Sequence, residues 1–260
     1  MTSEELELVK DLAYTNRWHI SAKWGDPEYA EQAKSVADQI VAIATGQNAP
    51  IEPPTTPEPT PPPESGPYEP PPMLYNSSYF PVVGYGFTAS EFVTYLEWLK
   101  DERWNWEPSG ITAHHTAAPN LDQRPDGFQT QHMKNLRSYY KDSLGWSRGP
   151  HLFVDDHLIW VFSPLTDRGI HAKSFNSSRI GVEMLGEFDY NDDPDSGRGR
   201  KVVELSQFAI SAMMLVLGID KDRLNFHRHD PSTSKTCPGK KVDFKTFESA
   251  VHQILAEISA

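Results

Sequence analysis

Gly110-Ile111-Thr112-Ala113-His114-His115-Thr116 is a short run rich in apolar and β-branched residues that ends on two histidines. Its composition reads as a strand, and strand alternation sends His114 and His115 to opposite faces. A second strand-like segment, Arg223 to His227, runs into Arg228 and His229. Shortly after it comes Lys235-Thr236-Cys237-Pro238-Gly239, which holds the single cysteine of the 260-residue chain. Two histidine-bearing strand ends and one thiol make a three-ligand zinc set. Three protein ligands leave the fourth position to water, the pattern of a catalytic zinc rather than a structural one. Plainer readings stand beside this one. A histidine pair at a strand end can be surface polarity, and a cysteine before Pro-Gly can be a small buried side chain in a turn. Singly, the plainer readings lead. Jointly, three ligand types gathered at strand ends, where α/β domains build their sites, favour a metal centre.

The flanking segments set the fold class. Thr88-Ala89-Ser90-Glu91 is a capping box that opens a helix with Phe92, Leu96 and Leu99 on one face. Asp126 to Asp142 reads as a helix ended by Gly145. His151 to Val154 and Leu158 to Phe162, joined by Asp155-Asp156, form a hairpin pattern. Ile180 to Leu185 suits a central strand, Asp189 to Arg200 a polar loop, and Leu205 to Leu217 an apolar helix stopped by Gly218. Phe244, Phe247, Val251, Ile254, Leu255 and Ile258 give a last helix one apolar stripe. Strands alternating with helices predict an α/β domain, a central mixed sheet flanked by helices, over residues 75–260.

Upstream the chain changes character. Residues 1–48 read as two amphipathic helices, the second capped by Asp26-Pro27 and closed by Gly46. A helical pair this small buries little surface alone. It is expected to pack on the main domain or to self-associate. Residues 49–74 carry more than half of the chain's 22 prolines. Such a segment favours polyproline II and acts as a semi-rigid spacer.

Bulk composition excludes several classes. The net charge of -12 and the lack of a dense Lys/Arg run argue against nucleic acid as a partner. One cysteine rules out an intrachain disulfide framework. No apolar run is long enough to span a bilayer. Met1 to Lys10 is acidic and polar, which predicts no Sec signal peptide.

The motifs together resemble the zinc-dependent N-acetylmuramoyl-L-alanine amidases, the family of amidase-type phage lysins and peptidoglycan recognition proteins. Ile111 to Ala118 is similar to its first zinc motif, Ile180 to Gly186 to its central strand, and His227 to Pro231 with Lys235 to Gly239 to its second zinc motif. Gly169-Ile170-His171-Ala172 and Asn176 match the loop before the central strand. The resemblance covers roughly residues 109–237 and the closing helix.

That resemblance implies roles. His114, His227 and Cys237 are the zinc ligands, with His229 a competitor for His227. Glu183 matches the strand glutamate that serves some branches as base, and Lys235 a lysine beside the metal suited to an oxyanion. His171 and Asn176 are expected at the substrate. Where many phage members have a tyrosine, Gly149-Pro150-His151 places a proline, which shifts weight to Glu183. The implied activity is hydrolysis of the bond between N-acetylmuramic acid and L-alanine in peptidoglycan. The implied setting is a phage endolysin held in the host cytoplasm until release to the wall, or a virion lysin. A binding protein without catalysis and a thiol hydrolase built on Cys237 are the competing readings.

Overall fold

One six-stranded sheet organises the described residues. The computed structural model describes residues 68–259. The helices expected in residues 1–48, and most of the spacer expected at 49–74, lie outside the described residues. In chain order the elements are β1 (Tyr85–Phe87), α1 (Ala89–Leu99), β2 (Gly110–His115), α2 (Thr130–Ser138), β3 (Leu152–Val154), β4 (Ile159–Val161), β5 (Arg179–Met184), α3 (Gly197–Leu217), β6 (Leu224–Phe226) and α4 (Phe244–Ile258). The strand order is β1-β4-β3-β5-β2-β6. β3, β5, β2 and β6 run parallel, while β1 and β4 are antiparallel to their neighbours. The sheet is therefore mixed, and helices flank it.

Period-two alternation divides the central strands between two tasks. Ile111, Ala113, Leu152, Val154, Ile180, Val182 and Met184 are fully buried. On this side α3 packs on β3, β4 and β5 and is flanked by α1 and α4. Each buried branched side chain contributes roughly 1.5–3 kcal/mol of hydrophobic stabilisation. The alternate residues His114, Phe153 and Glu183 take the other face. There they share a cleft with Leu136, Tyr139 and Tyr140 at the end of α2.

Local chemistry explains the element boundaries. Thr88 caps α1, and Glu91 returns the bond in a full capping box. The hairpin turn is held by Asp155, whose carboxylate accepts from the amides of His157 and Leu158.

Two expected boundaries were wrong. α2 begins at Thr130 rather than Asp126. Gly127 sits at φ +68°, and the Phe128 amide donates to Asp155, so the segment turns before it winds. α3 begins at Gly197, inside the segment expected to be loop. Its first turn is polar, so apolar periodicity could not reveal it. Arg198 ties that turn to Asp156 through two bonds of 2.7 Å.

Candidate metal centre and its cleft

Strand register builds the centre. His114 on β2 is paired with Glu183 on β5, and Glu183 with Phe153 on β3. Three neighbouring strands thus present one row of side chains on the cleft face. β6 pairs Phe226 with Ala113, so His227 follows directly beside His114. There the chain turns into a short 3-10 segment, His227–His229. That turn separates two histidines that an extended strand would have placed on one face. His227 lies 4.6 Å from His114, ring centre to ring centre. His229 instead stacks on Phe226 and meets Phe244 edge-on, and its Nδ1 accepts from the Phe226 amide.

The third member arrives on a braced loop. The Arg228 guanidinium donates to the carbonyls of Thr236, Gly239 and Val242, and the Arg228 amide to that of Cys237. Thr236 and Lys240 tie the same loop to Asp189. Cys237 is thereby held with its sulfur 3.7 Å from His114 Nδ1.

The donor set suits a metal of zinc's chemistry. Donor atoms of His114, His227 and Cys237 lie within 4.8 Å of one another. Tetrahedral zinc places a nitrogen and a sulfur ligand roughly 3.6 Å apart, against the 3.7 Å separating His114 Nδ1 from Cys237 Sγ. Two imidazoles and a thiol are also borderline-to-soft donors, as zinc prefers.

Electrostatics in the protein alone favour neutral groups. Burial, helped by the neighbouring His171 and His227, holds the His114 ring well below the usual imidazole range. Burial and then the Lys235 charge lower His227. Burial and the Glu183 charge push the Cys237 thiol up. A bound dication reverses that last preference, because it stabilises the thiolate. Burial raises the Glu183 carboxyl to about 8, with Lys235 pulling the other way. The 3.7 Å approach of Glu183 Oε1 to His114 Nδ1 is therefore a contact between neutral groups, not an ion pair.

The remaining site residues divide. Lys235 is exposed and lines the cleft together with the three donors and Glu183. His171 also borders the cleft, but both its ring nitrogens are engaged, one with His114 and one with the Arg179 carbonyl. No ring nitrogen is left for substrate. Asn176 lies outside the cleft lining; its side-chain oxygen accepts from the amides of His171 and Ala172. Both residues were expected at the substrate; in the structure the His171 ring bonds to His114 and to the Arg179 carbonyl, and the Asn176 side chain braces the loop at His171 and Ala172.

One aromatic group in the cleft went unread in the sequence. Pro150 does line the cleft, and so does Tyr140. The Tyr140 ring stacks on Trp146 at 5.2 Å and meets Phe162 edge-on. Burial, then the charge of Glu183, pushes its phenol well above the usual tyrosine range. A phenol thus stands near Glu183, supplied by a π-turn, Tyr139–Ser143, at the end of α2. Nothing in the local pattern marks such a turn.

Residues 105–240, just over half of the chain, match the model of the N-acetylmuramoyl-L-alanine amidase family. This chain belongs to that family. It is 31% identical over 131 residues to peptidoglycan-recognition protein SC2 of Drosophila simulans, covering 50% of this chain and 67% of the relative. The Drosophila melanogaster protein of the same name is 30% identical over the same shares. Among solved structures, the N-acetylmuramoyl-L-alanine amidase LysC from Clostridium intestinale URNW aligns with a TM-score of 0.42 at 23% identity, over 57% of this chain and 87% of that one.

Proposed function

We propose that this amidase-family chain is a zinc hydrolase that cleaves the amide between N-acetylmuramic acid and L-alanine in peptidoglycan. The observation that carries the reading is the convergence of His114, His227 and Cys237 beside a buried carboxyl, Glu183, in one cleft. Those three side chains would hold the ion. When bound, zinc polarises a carbonyl and lowers the pKa of water to about 7. Glu183 takes the proton from the attacking water and returns it to the leaving amine. The base form is the Glu183 carboxylate; burial alone pushes the group up to about 8, and a dication bound beside it would favour the ionised form near neutral pH. The Lys235 ammonium, facing the same cleft, stabilises charge developing on the scissile carbonyl oxygen.

We read the use as wall degradation, as by a phage endolysin or virion lysin, rather than recognition alone. A binding protein has no need of a third, thiol ligand beside a buried carboxyl. A Cys237 nucleophile fits less well again: burial disfavours its thiolate, and no helix N-terminus activates it. For the upstream residues we propose a helical segment at 1–48, able to self-associate, joined to this domain by a spacer at 49–74.

Purified wall incubated with the protein should gain free L-alanine N-termini. The gain should vanish on chelation or in His114→Ala, and return with Zn²⁺ in the wild type. Full activity after complete zinc removal would overturn the zinc reading. Wall binding with no new N-termini would favour recognition.

A further inference from the structure

Beneath the cleft, three groups form a chain of hydrogen bonds. His171 Nε2 lies 2.9 Å from the Arg179 carbonyl oxygen, and His171 Nδ1 lies 3.0 Å from His114 Nε2. A carbonyl only accepts, so Nε2 of His171 carries the hydrogen. A neutral imidazole has one such hydrogen, so Nδ1 of His171 is the acceptor. His114 must then donate from Nε2, and its lone pair is left on Nδ1. That nitrogen faces Cys237 Sγ and Glu183 Oε1, each at 3.7 Å. We propose that His171 is the positioning residue of the metal centre, holding His114 in the one tautomer and ring orientation that presents Nδ1 to zinc.

The surroundings of His171 are built for this task. Its ring lies directly on Gly181, where an added Cβ would come within 2.5 Å of the ring. Glycine at that position is required by the ring's placement. Asn176 clamps the backbone on either side of the His171–Ala172 bond. The amide of Ser174 donates to Asp230, which joins the loop to the turn just after His227–His229. The floor under one metal-binding histidine is thereby tied to the segment that carries the other. Metal-bound histidines generally owe their orientation to the partner of the second ring nitrogen, and loss of that partner costs about 10–100-fold in metal affinity. Here the partner is a second histidine, itself fixed by a strand carbonyl.

The inference rests on the zinc reading above, and two measurements separate them. The first needs no metal: long-range ¹H–¹⁵N spectra of the zinc-free protein report which nitrogen of His114 is protonated. Nε2 is expected, and Nδ1 would overturn the proposal whatever the metal does. The second is zinc affinity by competition with a chromophoric chelator. His171→Gln removes the acceptor that faces His114 and should weaken zinc about 10–100-fold. His171→Asn places an amide oxygen where Nδ1 stood and should recover most of that loss. Gly181→Ala, which displaces the ring without touching its chemistry, should resemble His171→Gln. Equal zinc affinity in wild type and His171→Gln overturns the proposal, as does equal loss in the Gln and Asn variants, because side-chain volume would then be the cause. If the wild type binds no zinc, the zinc reading fails while the tautomer measurement still decides the hydrogen-bond chain. Should the variants not fold, the wild-type spectrum decides it alone.

Discussion

His114 and Glu183 are register partners on adjacent parallel strands, and their side chains meet at 3.7 Å between Nδ1 and Oε1. This one pairing puts a proposed metal-binding nitrogen and a carboxyl side by side without help from any loop. Strand register therefore sets the distance on which the proposed proton transfers depend.

Glu183→Gln keeps the size and burial of the side chain but removes the base. Turnover on purified wall, read as new L-alanine N-termini, should fall by about 10²–10⁴-fold. Zinc affinity should stay within a few-fold of wild type. If zinc binding collapses together with turnover, Glu183 is part of the metal's support rather than the base.

Zinc should stabilise the folded protein, because its donors are brought together only by folding. At a free zinc concentration of about 100 times the dissociation constant, the gain is about 2.7 kcal/mol. A thermal melt should show a clear upward shift on adding zinc to the metal-free protein. Cys237→Ser and His227→Ala should each abolish most of that shift, and His229→Ala should leave it. Loss of the shift in His229→Ala alone would reverse the assignment of the second ligand.

Arg228 is half-buried and donates to three carbonyls around the Cys237 loop. Arg228→Ala should cost about 2–3 kcal/mol in urea unfolding, since hydrogen bonds to a charged group are worth about 1.5–3 kcal/mol. Arg228→Lys should recover only part of it, because an ammonium cannot span three acceptors with the geometry of a guanidinium. Zinc affinity should fall in the same order.

Stability should decline in acid through His151. Its Nδ1 accepts from the Gly181 amide, and its Nε2 donates to the Asp167 carbonyl, so the neutral ring is fully used. Burial, with His171 nearby, lowers its pKa from 6.5 to about 3. A depressed folded pKa means the unfolded chain takes up the proton first. The stabilisation is therefore complete above pH 6.5 and is lost as pH falls toward about 3. The slope is roughly 1.4 kcal/mol per pH unit for this one proton. His171, lowered to about 4 by burial, adds to it. Urea midpoints of zinc-free protein between about pH 7.5 and 4.5 should fall steeply in wild type and less steeply in His151→Asn, following the one-proton slope. Parallel slopes would mean His151 is not the group responsible.

The amino-acid sequence pointed to five of the six strands, β1 being the one it did not mark, to the capped start of α1 at Thr88 and to the kinds of donor in the cluster, two histidines and one cysteine. These are legible because strand alternation and capping act over a few neighbouring residues, and because ligand chemistry is a property of the side chain alone. Tertiary structure decided the rest. His227 and His229 are two apart and equivalent to any strand pattern; a 3-10 turn sends one to His114 and the other onto Phe226 and Phe244. His171 and Asn176 stand in a recognisable motif, but the bond His171 makes to His114 and those Asn176 makes within its loop appear only in the folded chain. Tyr140 reaches the cleft through a π-turn, and Arg198 anchors a helix start that no apolar period announces. Local periodicity specifies which way a side chain points from its own strand or helix. What it meets there depends on the register between strands far apart in the chain, and that is settled only when the sheet is assembled.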